Sequence, residues 1–503
     1  MIRPTGAYLK SLTDIALNLG VEAPETDVQI SGLTHDSGQV RVGDLYLALS
    51  GFRTHGARYA HLAISHGASA ILTDAAGVEI LGKTDFPVLC IPDVRSVLGR
   101  LSSWFYDSPS LRMNLVGITG TNGKTTTAHL IDSVWRSENR RTGLIGTIET
   151  RICETSIPSV RTTPEATDLQ ALFATMLEAG CSDVVMEVSS HALSLGRVDG
   201  SHFSVAIFTN LTQDHLDFHE NMQDYFRAKS ILFSPTYSDL AIINIDDEYG
   251  VTLARDGQIP CQTYSTAGLD SDWFVTEIIR SAFGSKFTVH SREYGRIKAE
   301  IPLIGDHNIA NALAALIALV QSGVSVENAI RGLANVSGVP GRLERIDFGQ
   351  SFTAIVDYAH TPDAVERILT ALRAHATGRI IGVLGCGGDR DPSKRPLMGA
   401  ALARGADIAI LTSDNPRSED PYQIITEMAF GAHGVAGSDV RIEADRATAI
   451  SIAVNLAESG DIVLVAGKGH EQGQEILGEV RPFDDREVLA QAIDRRISAG
   501  ESK

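Results

Sequence analysis

Short apolar runs rich in β-branched residues recur along this chain, and each stops at a polar cluster. Leu115 and Val116 lead into a glycine-rich loop, and Val184, Val185 and Met186 lead into Glu187. Phe203 to Phe208 run into Asn210 and His215, and Leu240 to Ile245 into Asp246 and Asp247. Farther on, Phe352 to Val356 precede Asp357, Ile380 to Leu384 precede GCGGDRD, Ile408 to Leu411 precede TSDNPR, and Ile462 to Val465 precede AGKGHE. Helical patterns separate the runs. Strands this apolar need cover on both faces, which predicts an α/β fold with mainly parallel sheets. In such a sheet all strands end on one rim, where ligands bind. The polar clusters should therefore gather on one rim per sheet, with a site between two sheets if their rims face each other.

Three sections are expected, at 1–108, 109–336 and 337–503, since 503 residues exceed one ordinary core. The first reads as a smaller α/β unit with a strand-like DLYLAL (Asp44 to Leu49) and a helix-like YAHLAISHGASAIL. Gly338, Pro340 and Gly341 mark the second junction. A net charge of −19 argues against a broad nucleic-acid footprint, so phosphates would have to be met locally by Lys, Arg, metal ions and helix N-termini. The opening MIRPTGAYLKSLTDIALNLG lacks a signal peptide's apolar core, and Ile309 to Val320 is too short to cross a bilayer. The five cysteines show no CxxC or metal-ligand spacing. A cytoplasmic, monomeric protein with no nucleic-acid or membrane partner is expected.

In VGITGTNGKTTTAHLIDSVW, the residues Gly120, Thr121, Asn122, Gly123, Lys124, Thr125 and Thr126 lie between a strand and a helix whose buried stripe is Ala128, Ile131, Val134 and Trp135. Glycines let backbone N–H groups approach phosphate oxygens, Lys124 reaches the terminal phosphates, and the Thr125 hydroxyl binds Mg²⁺. The strict phosphate-loop expression wants a glycine where Ile118 stands; the mechanics are intact. Glu187 at a strand end suits a Mg²⁺ carboxylate, against the alternative of a solvated strand-end glutamate. His215 in TNLTQDHLDFH is by itself a weak ligand signal, and Lys229 in YFRAKSILF reads from its pattern as a surface lysine.

With these residues in view, the chain resembles the Mur ligases, in particular members that add diaminopimelate to a peptidoglycan precursor. GTNGKTT, MEVSSHAL, FTNLTQDHLDFH, GDHNIANALAA, VPGRLE, VDYAHTPDA, GCGGDRDPSKRPLM, DNPR and AGKGHE stand in the family's order, over nearly the whole chain. The resemblance implies an N-terminal nucleotide-sugar domain, a central phosphate-loop ATPase and a C-terminal Rossmann-like domain. It implies an ATP-dependent acid–amino-acid ligase of cell-wall biogenesis. The acceptor would be UDP-MurNAc-L-Ala-D-Glu, activated as an acyl phosphate, and the incoming amine meso-diaminopimelate. It raises Lys229 from surface residue to a lysine carbamylated by CO2, joining Thr125, Glu187 and His215 around Mg²⁺, with Lys124 as a further catalytic residue. Asn308, Arg342 and Asp357 look like ATP contacts. His35, Ser37, Phe52, Arg53, Thr54, Thr162, Thr163, Ser189 and Arg197 look like contacts of the nucleotide-sugar peptide. Gly38, where an arginine is common, and Leu195, where some members have glutamine, depart from the pattern.

The resemblance assigns diaminopimelate to Arg390, Asp414, Asn415, Pro416, Arg417, Gly467 and Glu471; DNPR without it reads as a plain Asx-Pro turn. An arginine fork takes a carboxylate bidentately, so lysine, lacking the distal carboxylate, should leave Arg417 desolvated and unpaired and be rejected. The alternatives are a sibling ligase adding lysine or adding glutamate to folate, a phosphate-loop regulator or motor, and a nucleotide-sugar binding module.

Overall fold

The computed structural model describes residues 2–6, 8–51, 54–214, 218–281, 284–336 and 338–501. Three principal sheets follow one another along the chain.

The first is a four-stranded parallel sheet, Gly32–Thr34, Asp44–Leu47, Ala70–Thr73 and Val88–Cys90 in spatial order. Here the stretch expected to be helix-like divides. Its helix covers only Ala60–Ser65, and Ala70–Thr73 is a strand. Gly67 in the left-handed region (φ 103°) breaks the helix, and the run after it is fully buried in the sheet, where apolar content overrides helical periodicity.

The central sheet has eleven strands. Its middle is parallel: Asn114–Thr119 lies between Asp183–Glu187 and Val205–Phe208, with Ala241–Asn244 beyond. Both flanks are antiparallel, Glu149–Ile152 with Thr155–Pro158 on one side and Trp273–Ser281, Gly284–Ser291 and Gly295–Ile301 on the other. The sequence pattern of strands alternating with helices thus holds for the middle of this section and not for its later part. The helix Lys124–Ser137 buries Ala128, Ile131, Val134 and Trp135 as the periodicity predicts. The Trp135 indole N–H donates to the Ser322 hydroxyl at 2.9 Å, locking this helix against Asp306–Gln321. The latter helix is apolar on nearly every side because it lies inside the core cluster over the sheet.

In the third sheet, Thr353–Asp357, Ile462–Ala466, Ile380–Cys386, Ile408–Ser413 and Asp439–Ile442 run parallel, with Glu344–Ile346 antiparallel at one edge. The C-terminal rims of the second and third sheets face each other. Arg342 reaches Thr125, Asn122 reaches Asp363, and a cavity of about 550 Å³ is lined by Thr147 and Glu149 on one side and Asn415, His470 and Glu471 on the other. No helix among the described residues is long and apolar enough to cross a membrane.

Candidate active site

The glycine loop begins where the strand Asn114–Thr119 ends. Gly120 (φ 148°) and Gly123 (φ 90°) both need glycine's freedom; a Cβ on Gly123 would meet the Asn311 side chain at 2.3 Å. Ile118 is fully buried inside the strand, so the glycine of the strict expression has no place in this turn. The loop is braced from the neighbouring strand end. Thr121 N–H donates to the Asn210 carbonyl at 2.8 Å, Asn122 N–H to Asn210 Oδ1 at 2.9 Å, and the Thr209 hydroxyl to the Asn122 carbonyl at 2.6 Å. Thr126 lines a cavity of about 770 Å³ beside this loop, together with Asn308, Arg342, Asp357 and Tyr358.

Two ammonium groups converge on this turn. Lys124 Nζ donates to the carbonyls of Gly120 and Thr121, each at 2.9 Å, and Lys229 Nζ donates to the same Gly120 carbonyl at 2.9 Å. Lys229 belongs to the helix Met222–Ser230 and is 1% exposed, with its ammonium 4.6 Å from the Tyr225 ring centre. The surface position suggested by its local pattern is therefore incorrect: this face of the helix packs on the glycine loop. Burial, reinforced by the charge of Lys124, holds the Lys229 pKa well below that of an ordinary lysine, and burial also lowers that of Lys124.

Glu187 ends the strand Asp183–Glu187 and is buried, not solvated. Its Oε2 accepts from the Thr125 hydroxyl at 2.9 Å and the Thr147 hydroxyl at 3.1 Å, and its Oε1 from Thr147 N–H at 2.7 Å. Thr147 was absent from the sequence-derived set, although it follows the strand Thr142–Ile145 and the strand-end rule points to it. Thr162 touches the Thr147 hydroxyl at 3.1 Å, and the Thr163 hydroxyl donates to the Glu187 carbonyl at 2.9 Å. Ser189 N–H donates to Thr163 Oγ1 at 3.1 Å, while Arg197 pairs with Glu165 at 2.9 Å and donates to the Thr163 carbonyl at 3.4 Å. These four residues thus form one patch beside Glu187.

The first section meets this patch less directly. His35 Nδ1 lies 2.9 Å from the Thr167 hydroxyl. The Ser37 carbonyl pairs with the His66 ring, and Thr54 closes a turn with Gly51. Phe52, Arg53 and His215 lie outside the described residues.

The third section supplies the other wall. Arg342 donates to Thr125 Oγ1 at 3.2 Å, with its guanidinium 4.6 Å from the Tyr358 ring centre and its buried Nε without a partner among the described residues. Asp357 accepts from the N–H groups of Leu343 and Ala359, each at 2.7 Å; burial pushes its carboxyl up to about 6 against the opposing pull of Arg342. Asn308 is buried, donating to the Ile304 carbonyl at 2.8 Å. Tyr358 lines both cavities.

Asp414, Asn415, Pro416 and Arg417 follow the strand Ile408–Ser413 and interlock with GCGGDRD. Gly388 N–H donates to the Asn415 carbonyl at 2.9 Å, and a Cβ on Gly388 would lie 2.0 Å from the Pro416 carbonyl oxygen. Arg390 and Arg417 both flank Gly387. Gly467 (φ 113°) approaches Asp414 so closely that a Cβ would meet its Oδ2 at 2.7 Å. One expectation needs correction. Arg417 is not an unpaired fork, because Nη1 donates to the Gly388 carbonyl at 2.6 Å and Nε lies 3.4 Å from Glu475. Glu475 comes from the hairpin Gly473–Ile476 and Glu479–Pro482, which docks on Arg417 through its backbone, so these internal partners soften the desolvation penalty argued from the sequence. Glu475 and Lys468 were both missed, although Lys468 stands inside AGKGHE.

Together these groups can hold an anionic chain of phosphates along the glycine loop, a hard cation between Thr125 and Glu187, and a zwitterion at the Asn415–Glu471 end.

Comparison with known proteins gives three family matches in chain order: the catalytic domain of the Mur ligase family over 29–106, the Mur ligase middle domain over 118–319, and the Mur ligase glutamate ligase domain over 341–469. The UDP-N-acetylmuramoyl-L-alanyl-D-glutamate–2,6-diaminopimelate ligase of Streptomyces coelicolor is 52% identical over 98% of either chain. The protein of the same name from Corynebacterium glutamicum is 46% identical over 93% of either chain. A solved structure bearing that name is 33% identical with a TM-score of 0.67, covering 97% of this chain and 99% of its own.

Proposed function

The chain belongs to the Mur ligase family, and on that premise we propose that it joins meso-diaminopimelate to UDP-N-acetylmuramoyl-L-alanyl-D-glutamate in peptidoglycan synthesis, consuming ATP. The observation that carries this reading is the meeting of two rims: Arg342 of the third section touches Thr125 of the phosphate loop, while the cavity lined by Asn415 and Glu471 is also lined by Thr147, whose N–H donates to Glu187.

The chemistry follows from the parts. The γ-phosphoryl of ATP passes to the D-Glu carboxylate, so two anions must approach. Lys124 and Arg342 neutralise charge where it develops, and the braced glycine loop holds the phosphates in line. Thr162, Thr163, Ser189 and Arg197 orient the carboxylate beside Glu187. The amine of the amino acid then attacks the acyl phosphate, and the amide forms as phosphate leaves. Water would destroy the acyl phosphate, so the reaction needs the rims to shield it from solvent.

The oxygen donors Thr125 and Glu187, both buried, fit a hard divalent cation. Lys229 as a carbamate would add a third oxygen donor to this pair. Burial favours the neutral amine of Lys229, the form that adds CO2, and the product is an anionic oxygen ligand where an ammonium would repel the ion. Bound Mg²⁺ would supply charge neutralisation to the phosphoryl group in flight. The proposed setting is the cytoplasm, where ATP is supplied.

The test is phosphate release and amide formation with ATP, Mg²⁺, bicarbonate and the nucleotide-sugar dipeptide, adding diaminopimelate or lysine. Product with diaminopimelate and little with lysine is expected. No amide, or equal use of both, overturns the reading.

A further inference from the structure

Lys468 is completely buried, and an ammonium withdrawn from water must be paired. Its Nζ donates to Glu471 Oε2 and to Asn415 Oδ1, each at 3.0 Å. Asn415 closes the triangle, its Nδ2 donating to the same Glu471 Oε2 at 2.8 Å while its Oδ1 also accepts Glu475 N–H at 3.0 Å. Two consequences follow. The amide of Asn415 has one orientation, because only its oxygen can face the ammonium. Glu471 has one oxygen filled by two donors, whereas its Oε1 takes no hydrogen bond from any described residue and the side chain, 32% exposed, lines the 550 Å³ cavity.

We propose that Lys468 is a positioning residue for amino-acid recognition, acting from behind the pocket to fix Asn415 and Glu471 for the distal amino-carboxylate end of the substrate. This rests on the reading of the chain as a diaminopimelate-adding ligase. The charge of Lys468 has a second effect. It balances Glu471, so that a lone distal ammonium, as in lysine, gains less there than it would from an uncompensated carboxylate. A carboxylate beside that ammonium, which Arg417 can meet, then decides acceptance.

The experiment is steady-state kinetics of Lys468→Met in the full chain, with thermal unfolding as a check on folding. KM for diaminopimelate should rise roughly tenfold or more, and the preference for diaminopimelate over lysine should fall about tenfold. KM for ATP and for the nucleotide-sugar dipeptide should stay within about twofold. A parallel rise in all three KM values, or an unchanged preference, overturns the proposal. If the single variant does not fold, the charge-neutral pair Lys468→Met with Glu471→Gln is compared with Glu471→Gln alone. A residue acting through Glu471 adds less than about twofold to KM in that background, and a further tenfold loss contradicts it. Failure of the unaltered protein to use diaminopimelate would instead remove the parent reading.

Discussion

Arg342 Nη2 lies 3.2 Å from the hydroxyl of Thr125, although 217 residues separate them. That hydroxyl in turn donates to Glu187. A guanidinium from the third section, a hydroxyl from the phosphate loop and a carboxylate from a neighbouring strand therefore form one chain of contacts across the facing rims. Arg342→Ala should lower kcat by on the order of 10²-fold, because a fixed charge aimed at the phosphates would be lost. Arg342→Lys should recover little of it, lacking the planar fork. Initial rates at saturating substrates decide this, and a loss confined to KM for the amino acid would contradict the placement.

Lys229 should gain the mass of one CO2 in bicarbonate at neutral pH, detectable by native intact-protein mass spectrometry. Lys229→Met cannot form a carbamate, places no charge in this buried site, and should lower kcat by roughly 10²-fold or more without unfolding the protein. An active methionine variant, or no bicarbonate dependence of the added mass, would remove carbamylation from the account.

Arg417→Ala should weaken use of diaminopimelate by about 10²-fold in kcat/KM while leaving KM for ATP within about twofold. The Glu475 contact adds a second expectation. Glu475→Gln frees the guanidinium of its internal carboxylate and should change KM for diaminopimelate less than Arg417→Ala does. Equal losses for ATP and diaminopimelate in Arg417→Ala would count against the assignment.

Behind the amino-acid end, Arg446 and Asp485 are both fully buried and paired at 2.6 and 2.7 Å. Arg446 also donates to the carbonyls of Ser413 at 3.3 Å and Ala466 at 2.9 Å, tying two strand ends together. Asp485→Asn should destabilise the third section by about 3–5 kcal/mol, since it leaves a buried cation without its counter-charge. Denaturant unfolding followed in that section checks the value. A change below about 0.5 kcal/mol would mean that the cation finds compensation elsewhere.

Acid should destabilise the protein through two histidines held neutral. Burial, aided by Arg367, lowers His307 to about 4; burial, aided by Arg342 and Arg486, lowers His470 to about 3. The unfolded chain takes up these protons below about pH 6.5, so the stabilisation is fully present above that pH and is lost as pH falls toward the folded values. His307→Gln and His470→Gln should each lose less stability than the unaltered protein between about pH 7.5 and about pH 5. Equal losses in all three proteins would falsify the neutral state of these rings.

The sequence by itself determined what depends on near neighbours. Strand ends followed by polar clusters marked the rims, and the spacing of Ala128, Ile131, Val134 and Trp135 located the phosphate-loop helix. Gly123, Lys124 and Thr125 were legible as a glycine turn opening a helix even with Ile118 out of pattern. Misreadings arose where distant atoms decide. The stretch ending at Leu72 looked helical until sheet burial claimed its second half. The helix around Lys229 looked solvated, yet its ammonium is capped by a carbonyl 109 residues away. Arg417 looked like a fork for the substrate carboxylate alone, yet the Gly388 carbonyl and Glu475 already engage it, and Lys468 drew no notice until the fold enclosed it. Periodicity records which side of an element is apolar, whereas pairing and desolvation of a charge depend on whatever the rest of the chain packs against it; only the tertiary structure decides that.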